Sequence, residues 1–399
     1  MPRVLRIINR FNLGGPSYNV ANLSKYLAPD YETLIIGGDK EPGEDSSLYI
    51  FEEMGLEPVV LPEMSRSVNF MNDLRAYRRI KSVIKEFKPD IVHTHAAKAG
   101  ALGRLAAWRC QVPVIVHTFH GHVFHSYFGK LKTTFFKQVE RWLAQRSSAI
   151  IAISEKQKAE LCEEHKIAPA SKVTVIPLGF NLDRFTHNQE EKRKNFRAQY
   201  NIANDETCIV IIGRLAPVKN HPLFLKAIAH AKEHGTKKIR AFVVGDGTIR
   251  GELETLCDEL KLDHVYWPER QARATVTFTS WITDVSYPLA GSDIVCLSSF
   301  NEGTPVSLIE AQAASRAIVS TRVGGIENSV SPQAAFLTEP GNEGDFSEKL
   351  LLLIQNDTKR LEMSGAGRHF VLQRFGYQRL VSDMKRLYEA LLASETNKI

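Results

Sequence analysis

Two glutamates stand at the start of a predicted helix, with seven residues between them. They lie in Ser299-Phe-Asn-Glu302-Gly303-Thr304-Pro305-Val306-Ser-Leu-Ile-Glu310, just after a predicted strand. Gly303 allows a tight turn, Thr304 can cap a helix and Pro305 suits its first position, so a helix is predicted to begin there. The N–H groups at a helix start can hold an anion such as phosphate. Both carboxylates can then reach one ligand and bind the hydroxyls of a sugar or a ribose.

Two cations follow an earlier predicted strand, in Gly213-Arg214-Leu-Ala-Pro-Val-Lys219-Asn220. Arg214 and Lys219 are five residues apart at the carboxyl end of that strand. This placement suits a grip on a diphosphate. The alternative is a turn that carries two surface charges.

Two glycine-rich segments are weaker indications of a ligand-binding loop. Gly14 and Gly15 follow the first predicted strand and let the backbone approach a ligand closely, although an ordinary strand–helix turn explains them as well. The segment Phe242-Val-Val-Gly245-Asp-Gly247-Thr-Ile-Arg-Gly251 has one residue more than the dinucleotide fingerprint and comes late in the chain. It therefore weighs against NAD binding.

Histidines cluster after two further predicted strands. A metal site needs convergent histidine and carboxylate ligands, and no carboxylate accompanies either cluster in the sequence. The pattern therefore favours hydrogen-bonding roles in a core or cleft and predicts no metal site. The clustered residues are His93, His95, His117, His120, His122 and His125.

Short β-rich runs alternate with amphipathic helical stretches, which predicts parallel sheets covered by helices. The pattern starts twice, so we predict an α/β fold with two doubly wound domains facing a central cleft. Asn188–Lys194 is interpreted as a solvated linker or loop. The predicted domains are 1–180, 181–376 and a final helix in 377–399. The predicted strands are Val4–Ile8, Thr33–Ile36, Ile91–Thr94, Val114–Thr118, Ala149–Ile153, Val173–Ile176, Cys208–Gly213, Arg240–Val244, Val276–Thr279, Asp293–Leu297 and Ala317–Thr321.

Composition excludes a disordered or fibrous chain. The 399 residues are 43% apolar and 24% charged, enough for two cores. The net charge is +6, and residues 1–185 carry all of the excess, with 25 Lys and Arg against 19 Asp and Glu. That half is the better candidate to meet a phosphorylated lipid or a membrane surface.

The stretch Tyr127–Arg146 alternates aromatic and basic residues. It fits a basic amphipathic surface against an anionic membrane, and it fits equally a core-facing helix with a basic outer side. Nucleic acid binding is disfavoured because the charge excess is modest. The five scattered cysteines and the absence of a signal-like or membrane-spanning stretch predict a cytoplasmic protein, at most peripheral at the inner face of the membrane.

The paired-glutamate segment resembles the signature of the retaining glycosyltransferases of the GT-B fold, family 4. Other segments resemble the same family across nearly the whole chain. They are the Gly14-Gly15 loop, the Arg214 and Lys219 motif, Val-Gly245-Asp-Gly247, Trp281-Ile-Thr-Asp284 and Val323-Gly324-Gly325. Two departures are Ser280, where the family usually has glycine, and Val265–Ala274, which is longer than expected.

This resemblance implies a transferase that moves a sugar from a nucleotide donor, UDP-linked in the usual case, to a hydroxyl of a saccharide or polyprenyl-diphosphate-linked acceptor. Stereochemistry at the anomeric carbon would be retained. Acceptors of this kind are common for bacterial members of the family that make surface polysaccharides. The first domain would hold the acceptor and the second the donor, and the final helix would cross back onto the first domain. No cofactor or metal is implied.

The resemblance also implies roles for individual residues. His120 would orient the reacting sugar, Glu302 would bind that sugar and Glu310 the ribose. Arg214, Lys219 and the helix start would stabilise the leaving diphosphate. The remaining donor-side positions are Gly14, Gly15, Gly213, Gly245, Asp284, Gly303, Thr304, Pro305 and Val306.

Three rival functions stay open at this point. A sugar-nucleotide epimerase could share the fold and the diphosphate grip. A non-catalytic protein that binds sugars or nucleotides would need the same loops without turnover. A nicotinamide-dependent dehydrogenase is the third.

Overall fold

The computed structural model describes residues 1–12, 14–41, 46–64, 69–120 and 130–396. By internal contacts the chain divides into two compact units. The first comprises Met1–Asn181 together with Phe375–Ile399, and the second comprises Leu182–Arg374.

Each unit contains one seven-stranded parallel sheet, which confirms the predicted α/β class. In the first sheet the order is β3-β2-β1-β4-β5-β6-β7, and in the second it is β10-β11-β9-β8-β12-β13-β14. The first sheet consists of β1 (Arg3–Arg10), β2 (Glu32–Gly38), β3 (Val59–Val60), β4 (Ile91–His95), β5 (Val114–Phe119), β6 (Ala149–Ala152) and β7 (Val173–Val175). The second consists of β8 (Glu206–Ile212), β9 (Lys238–Val244), β10 (His264–Tyr266), β11 (Val276–Ser280), β12 (Ile294–Leu297), β13 (Ala317–Thr321) and β14 (Ala335–Thr338).

Helices cover the sheets because the connections between parallel strands must cross from one end to the other. The helices up to the unit boundary are α1 (Gly15–Tyr26), α2 (Leu48–Glu53), α3 (Phe70–Phe87), α4 (Ala97–Arg109), α5 (Lys130–Gln145) and α6 (Glu155–Ala159). Those after it are α7 (Gln189–Gln199), α8 (His221–His234), α9 (Arg250–Glu259), α10 (Ser286–Gly291), α11 (Val306–Ala313), α12 (Ile326–Ser329), α13 (Glu343–Gln355), α14 (Asp357–Phe375) and α15 (Tyr377–Thr396). Among the described residues, no helix combines the length and apolarity that crossing a membrane requires.

The last helix, α15, packs on the first sheet. Its Leu380, Met384 and Tyr388 are buried against strand residues that include Val4 and Ile91. The helix predicted at the end of the chain therefore covers the sheet that contains β1.

The predicted linker at Asn188–Lys194 is wrong, because α7 occupies most of it. Phe196 anchors this otherwise polar helix in an aromatic cluster. Arg193 donates to the carbonyl oxygens of Gly291 (3.1 Å) and Ser292 (3.0 Å) and pairs with Asp293 at 2.8 Å. A helix held by guanidinium bonds to backbone carbonyls lacks the apolar stripe by which sequence patterns reveal helices.

Three short strands, β3, β10 and β14, were not predicted. The unexplained stretch Val265–Ala274 begins in β10, which is an edge strand. Its Trp267 is buried, with its ring centroid 4.6 Å from that of Tyr200. The extra length therefore supplies an edge strand and an aromatic anchor.

Candidate functional site

The predicted donor-side residues of the second unit gather at one edge of its sheet. The strands β9, β8, β12 and β13 are adjacent and parallel, so the loops after them meet at the same edge. Gly213, Arg214 and Lys219 follow β8, and Gly245 follows β9. The loop after β12 supplies Glu302 and Gly303.

An ion pair joins two of these loops. The Nζ of Lys219 lies 2.6 Å from Oε1 of Glu302, and the same oxygen accepts from the hydroxyl of Ser299 at 2.6 Å. The hydroxyl of Ser298 donates to the backbone carbonyl of Lys219 at 3.0 Å. The side chain of Glu302 is 10% exposed and that of Lys219 is 27% exposed. The two groups are therefore held at the sheet edge, close to solvent and mutually neutralised.

Two glycines let the backbones of these loops approach each other. At Gly245, φ is +135°, and a Cβ there would lie 2.1 Å from the carbonyl oxygen of Gly213. At Gly324, φ is +54°, and a Cβ would lie 1.8 Å from the carbonyl oxygen of Glu302. Any side chain at either position would displace the loops that carry the charged residues.

The helix after Glu302 starts one residue later than predicted. Pro305 occupies the cap position with ψ of 86°, outside helical geometry, and α11 begins at Val306 without a side-chain capping bond. The carbonyl of Pro305 accepts from the amides of Leu308 (3.1 Å) and Ile309 (3.2 Å). The amides of Val306 and Ser307 have no acceptor among the described residues, so they are donors available to an anion.

Arg214 is exposed beside this edge. Within the described part of the chain, its guanidinium makes no hydrogen bond or ion pair. Arg214 therefore adds a cation without a described counter-ion to the loop that also carries Lys219. Its role in holding a diphosphate stays a prediction.

Glu310 lies on α11 and is 8% exposed. Burial raises the pKa of its carboxyl to about 7, the neighbouring charge of Asp284 adds to the rise, and Arg184 opposes it. An Nη of Arg184 lies 3.5 Å from Oε1 of Glu310. Asp284 accepts from the amide of Ser286 at 3.0 Å, which fixes its carboxylate at the start of α10.

Arg184 was not singled out from the sequence. It lies in a short turn, Asp183–Phe185, that precedes α7. A basic residue in a polar connecting segment carries no local signal, because its partner is 126 positions along the chain.

Ser280, the residue found where glycine is usual, adopts φ of +58°. Its hydroxyl donates to the carboxylate of Asp246 at 2.9 Å, and its carbonyl accepts from the amide of Gly245 at 3.0 Å. These bonds stabilise a backbone conformation that serine rarely adopts. Ser280 therefore holds a positive φ in which glycine is the ordinary residue.

The first unit carries its candidate residues after β1 and β5, which β4 separates in the sheet. Gly15 is the first residue of α1, and the amide of Ser17 donates to the carbonyl of Gly14 at 3.1 Å. A Cβ at Gly15 would approach the side chain of Leu178 to 3.1 Å. His120 follows β5, while His122 and His125 lie outside the described residues.

A column of polar side chains runs through this unit from α15 across β1 and β4. The fully buried Arg6 donates from one nitrogen to the hydroxyl of Tyr388 (3.0 Å) and lies 3.1 Å from Nδ1 of His93. The Tyr388 hydroxyl lies 2.6 Å from the same Nδ1, and Nε2 of His93 lies 2.7 Å from the hydroxyl of Thr118. No acidic side chain in the described ranges pairs with Arg6.

The column continues to His120. The rings of His93 and His95 are 4.2 Å apart, and Nδ1 of His95 lies 2.9 Å from Nε2 of His120. Burial lowers the pKa of His120 to about 3 and that of His95 well below its usual range. Both imidazoles are therefore neutral at physiological pH. No group of three or more potential metal ligands occurs within the described residues.

Comparisons with known proteins agree with this architecture. Residues 13–184 match the family Glycosyltransferase Family 4, and residues 192–370 match Glycosyl transferases group 1. Together the two matches span most of the chain.

Among relatives, the chain is 26% identical over 332 residues to the UDP-Gal:alpha-D-GlcNAc-diphosphoundecaprenol alpha-1,3-galactosyltransferase of Escherichia coli, covering 82% of each chain. It is 25% identical to the capsular polysaccharide biosynthesis glycosyltransferase CapM of Staphylococcus aureus, covering 85% of this chain and 86% of that one. The structure of Anabaena Alr3699/HepE in complex with UDP has the same fold, with a TM-score of 0.79 at 18% identity over 98% of this chain and all of the other.

Proposed function

The chain belongs to the glycosyl transferases group 1 family, and from this premise we propose that it transfers a sugar, with retention, from a UDP-linked donor to a saccharide or glycolipid hydroxyl. The observation that carries the proposal is the 2.6 Å contact between Lys219 and Glu302. It places a cation suited to phosphate next to a carboxylate suited to sugar hydroxyls.

The donor diphosphate is assigned to Arg214, Lys219 and the amides at the start of α11. Negative charge grows on the diphosphate as the glycosidic bond breaks, and fixed cations and N–H groups stabilise it there. The exposed Arg214 and the available amides of Val306 and Ser307 supply that stabilisation without a protonation step. These residues take the role that a metal ion has in other phosphate-transfer sites, so transfer is expected without one.

The two glutamates are assigned to different parts of the donor. Glu302 accepts from hydroxyls of the sugar while Ser299 holds its position, and Glu310 accepts from the ribose on the buried side. Asp284 belongs to the ribose side as well. Gly213, Gly245 and Gly303 are assigned to the nucleotide side, where their backbone groups would contact the donor.

His120 is assigned to the reacting sugar. Gly14 and Gly15, in the same unit, are assigned to donor binding. Its neutral imidazole suits hydrogen bonding to an uncharged hydroxyl better than it suits proton abstraction, since its pKa of about 3 makes it a weak base. The proton of the attacking hydroxyl then goes to an oxygen of the leaving diphosphate.

The acceptor is assigned to the prenyl-diphosphate saccharides, which is the class named for the Escherichia coli relative. The basic first half of the chain and the outer face of α5, where Phe135 is 65% exposed, support contact with an anionic membrane. The protein would then be cytoplasmic and peripheral at the inner face. Sedimentation with anionic and neutral vesicles tests this contact, and equal binding to both would contradict it.

The test combines binding and transfer. The full chain is titrated with UDP, and a panel of UDP-sugars is then incubated with a prenyl-diphosphate-linked N-acetylhexosamine, with the anomeric configuration of the product read by NMR. We expect UDP to bind and one sugar to be transferred with retention. The Glu302→Gln variant should bind UDP normally and lose about 100-fold in turnover, because its lost charge faces the sugar.

Three results would contradict the proposal. They are no binding of UDP, near-normal turnover of Glu302→Gln, and an inverted product. Epimerised sugar formed from the donor alone would indicate an epimerase instead.

A further inference from the structure

The two contacts that hold the side chain of Glu302 meet at the same carboxylate oxygen. Nζ of Lys219 and the hydroxyl oxygen of Ser299 each lie 2.6 Å from Oε1. The other oxygen, Oε2, makes no hydrogen bond or ion pair within the described residues, and it does not belong to their buried unpaired atoms. A carboxylate oxygen accepts about two hydrogen bonds, so Oε1 is filled while Oε2 is open to solvent.

Ser299 is held in place by the strand next to its own. It follows β12 and is fully buried, and its carbonyl oxygen accepts from the hydroxyl of Thr321, on the adjacent β13, at 2.7 Å. Its own hydroxyl donates to Oε1 of Glu302 and to no other acceptor in the described ranges. In addition, the amide of Gly325 donates to the carbonyl oxygen of Glu302 at 3.0 Å. The position of Oε1 is therefore fixed from two neighbouring strands and the loops that follow them.

Lys219 is a less permanent partner of the same oxygen. Its ammonium ends a long, flexible stem, and its side chain is 27% exposed. The proposed function assigns this cation to the diphosphate, which competes with the carboxylate for it. Ser299 is enclosed and has no second acceptor among the residues described. The serine is therefore the contact that keeps Oε1 in place when a donor attracts the lysine.

We propose that Ser299 is a positioning residue for transfer, which holds Oε1 of Glu302 and leaves Oε2 as the oxygen that accepts a hydrogen bond from a hydroxyl of the donor sugar. The ligand and the role of Glu302 rest on the proposed function. The division of tasks between the two oxygens goes beyond it and depends on the contacts of Oε1. Ser299 acts only through Glu302.

The filled oxygen also determines what a glutamine would present at this position. Lys219 can only donate, so the amide oxygen of Glu302→Gln must take the place of Oε1, and its NH2 group must take the place of Oε2. The variant then presents a donor to the sugar where the wild type presents an acceptor. Its defect should therefore be linked to one sugar hydroxyl and should leave the binding of UDP unchanged.

Transfer kinetics test the role of Ser299. Wild type, Ser299→Ala and Ser292→Ala are assayed with the prenyl-diphosphate acceptor and with UDP-glucose, UDP-galactose and their N-acetylated forms, and the donor that is used best becomes the parent donor. Ser292 is the matched control because it is fully buried just before β12, where its hydroxyl donates to the carbonyl of Leu289 at 2.9 Å. We expect kcat/KM to fall about tenfold in Ser299→Ala alone, with unchanged affinity for UDP. Urea unfolding should show a similar loss of stability in both variants.

Analogues of the parent donor that lack one hydroxyl each show whether Ser299 acts through a single sugar hydroxyl. With the analogue that lacks the hydroxyl bound by Oε2, the penalty of Ser299→Ala should shrink from about tenfold to less than about twofold. The penalty of Glu302→Gln should shrink with the same analogue. Both penalties should persist with all the others.

The outcomes separate this proposal from the proposed function. Wild-type kcat/KM in Ser299→Ala overturns the positioning role, and so does a loss that Ser292→Ala shares in full. A penalty of equal size with every analogue overturns the assignment of Oε2, and the Glu302→Gln series decides this even if Ser299→Ala does not fold. If the wild type transfers none of these sugars, the proposed function fails and this proposal fails with it.

Discussion

The polar clusters of the two units differ in chemistry. In the second unit the side chains are charged and close to solvent, with Lys219 paired to Glu302 and the exposed Arg214 beside them. In the first unit they are neutral imidazoles in a buried column, and the one charged member, Arg6, is fully enclosed. One region pairs opposite charges near solvent, and the other surrounds a buried cation with neutral hydrogen-bonding groups.

The charged groups of the second unit suit the proposed diphosphate, and the neutral imidazoles of the first unit suit a sugar hydroxyl. A diphosphate that gains charge during bond breaking is stabilised most by fixed positive groups. A hydroxyl has one donor and two acceptor positions, so it is selected by the direction of its hydrogen bonds. Replacing groups in the second unit should therefore change rates strongly, whereas groups deep in the first unit should show their effect mainly in stability or orientation.

The largest effect is expected for Lys219→Ala. It removes a cation from the leaving diphosphate and leaves Glu302 without its partner, so kcat should fall about 100- to 1,000-fold. Single-turnover transfer from a saturating UDP-sugar measures this loss. Lys226→Ala is the matched control, because Lys226 also pairs with a glutamate (Glu343, 2.8 Å) but on the exposed surface. A similar loss in both variants would show that the charge at Lys219 has no special role.

A smaller effect is expected from pH at Glu310. Its pKa of about 7 means that the carboxylate takes up a proton as the pH falls below 7, and a protonated acid is a poorer acceptor for ribose hydroxyls. Affinity for a UDP-sugar, whose diphosphate does not titrate in this range, should be about tenfold lower at pH 6 than at pH 8.

Calorimetric titration of wild type and Glu310→Gln checks this dependence. The variant has no group to titrate at that position, so its affinity should be flat between pH 6 and 8. The charged groups that face the carboxylate are Arg184 and Asp284. A dependence that survives in the variant would assign the titration to another residue.

The smallest effect on transfer is expected for Tyr388→Phe. The hydroxyl of Tyr388 bonds His93 and Arg6 in the buried column, so its removal should lower the free energy of unfolding by about 1–3 kcal/mol. The transfer rate should change little. Urea unfolding measures the loss, and Tyr31→Phe is the control, because Tyr31 packs edge-on against Tyr388 (5.6 Å) without a hydroxyl bond in the described residues. A large loss of transfer would show that the column acts directly in the reaction.

Much of the fold was predictable because long buried strands of a parallel sheet are continuous apolar runs. β1 and β8 are examples. The edge strands β3, β10 and β14 were missed, since two to four residues cannot show a period by themselves. The equally short β6, β7 and β12 were predicted within the slightly longer β-rich runs Ala149–Ile153, Val173–Ile176 and Asp293–Leu297. The helix α7 was also missed because it has no apolar stripe. Apart from Phe196, the contacts described for it are made by arginines.

The meeting of Lys219 and Glu302 was predictable in outline, since both residues follow strands of one parallel sheet. The pairing of Arg184 with Glu310 was not, because a turn outside the sheet brings the arginine to α11. The pairing of His95 with His120 was also missed. Both histidines were visible in the sequence, but only the neighbouring positions of β4 and β5 show that their rings touch.

The contact between Lys219 and Glu302 also bears on how the protein distinguishes whole donors from fragments. A lone phosphate or pyrophosphate that draws Lys219 away would leave the nearly buried carboxylate of Glu302 with the hydroxyl of Ser299 but without its cation. A complete nucleotide sugar would supply a partner to each group: its diphosphate would pair with the ammonium of Lys219, and a sugar hydroxyl would donate to the carboxylate of Glu302. If the proposed function holds, free phosphate is therefore expected to compete only weakly with a nucleotide sugar.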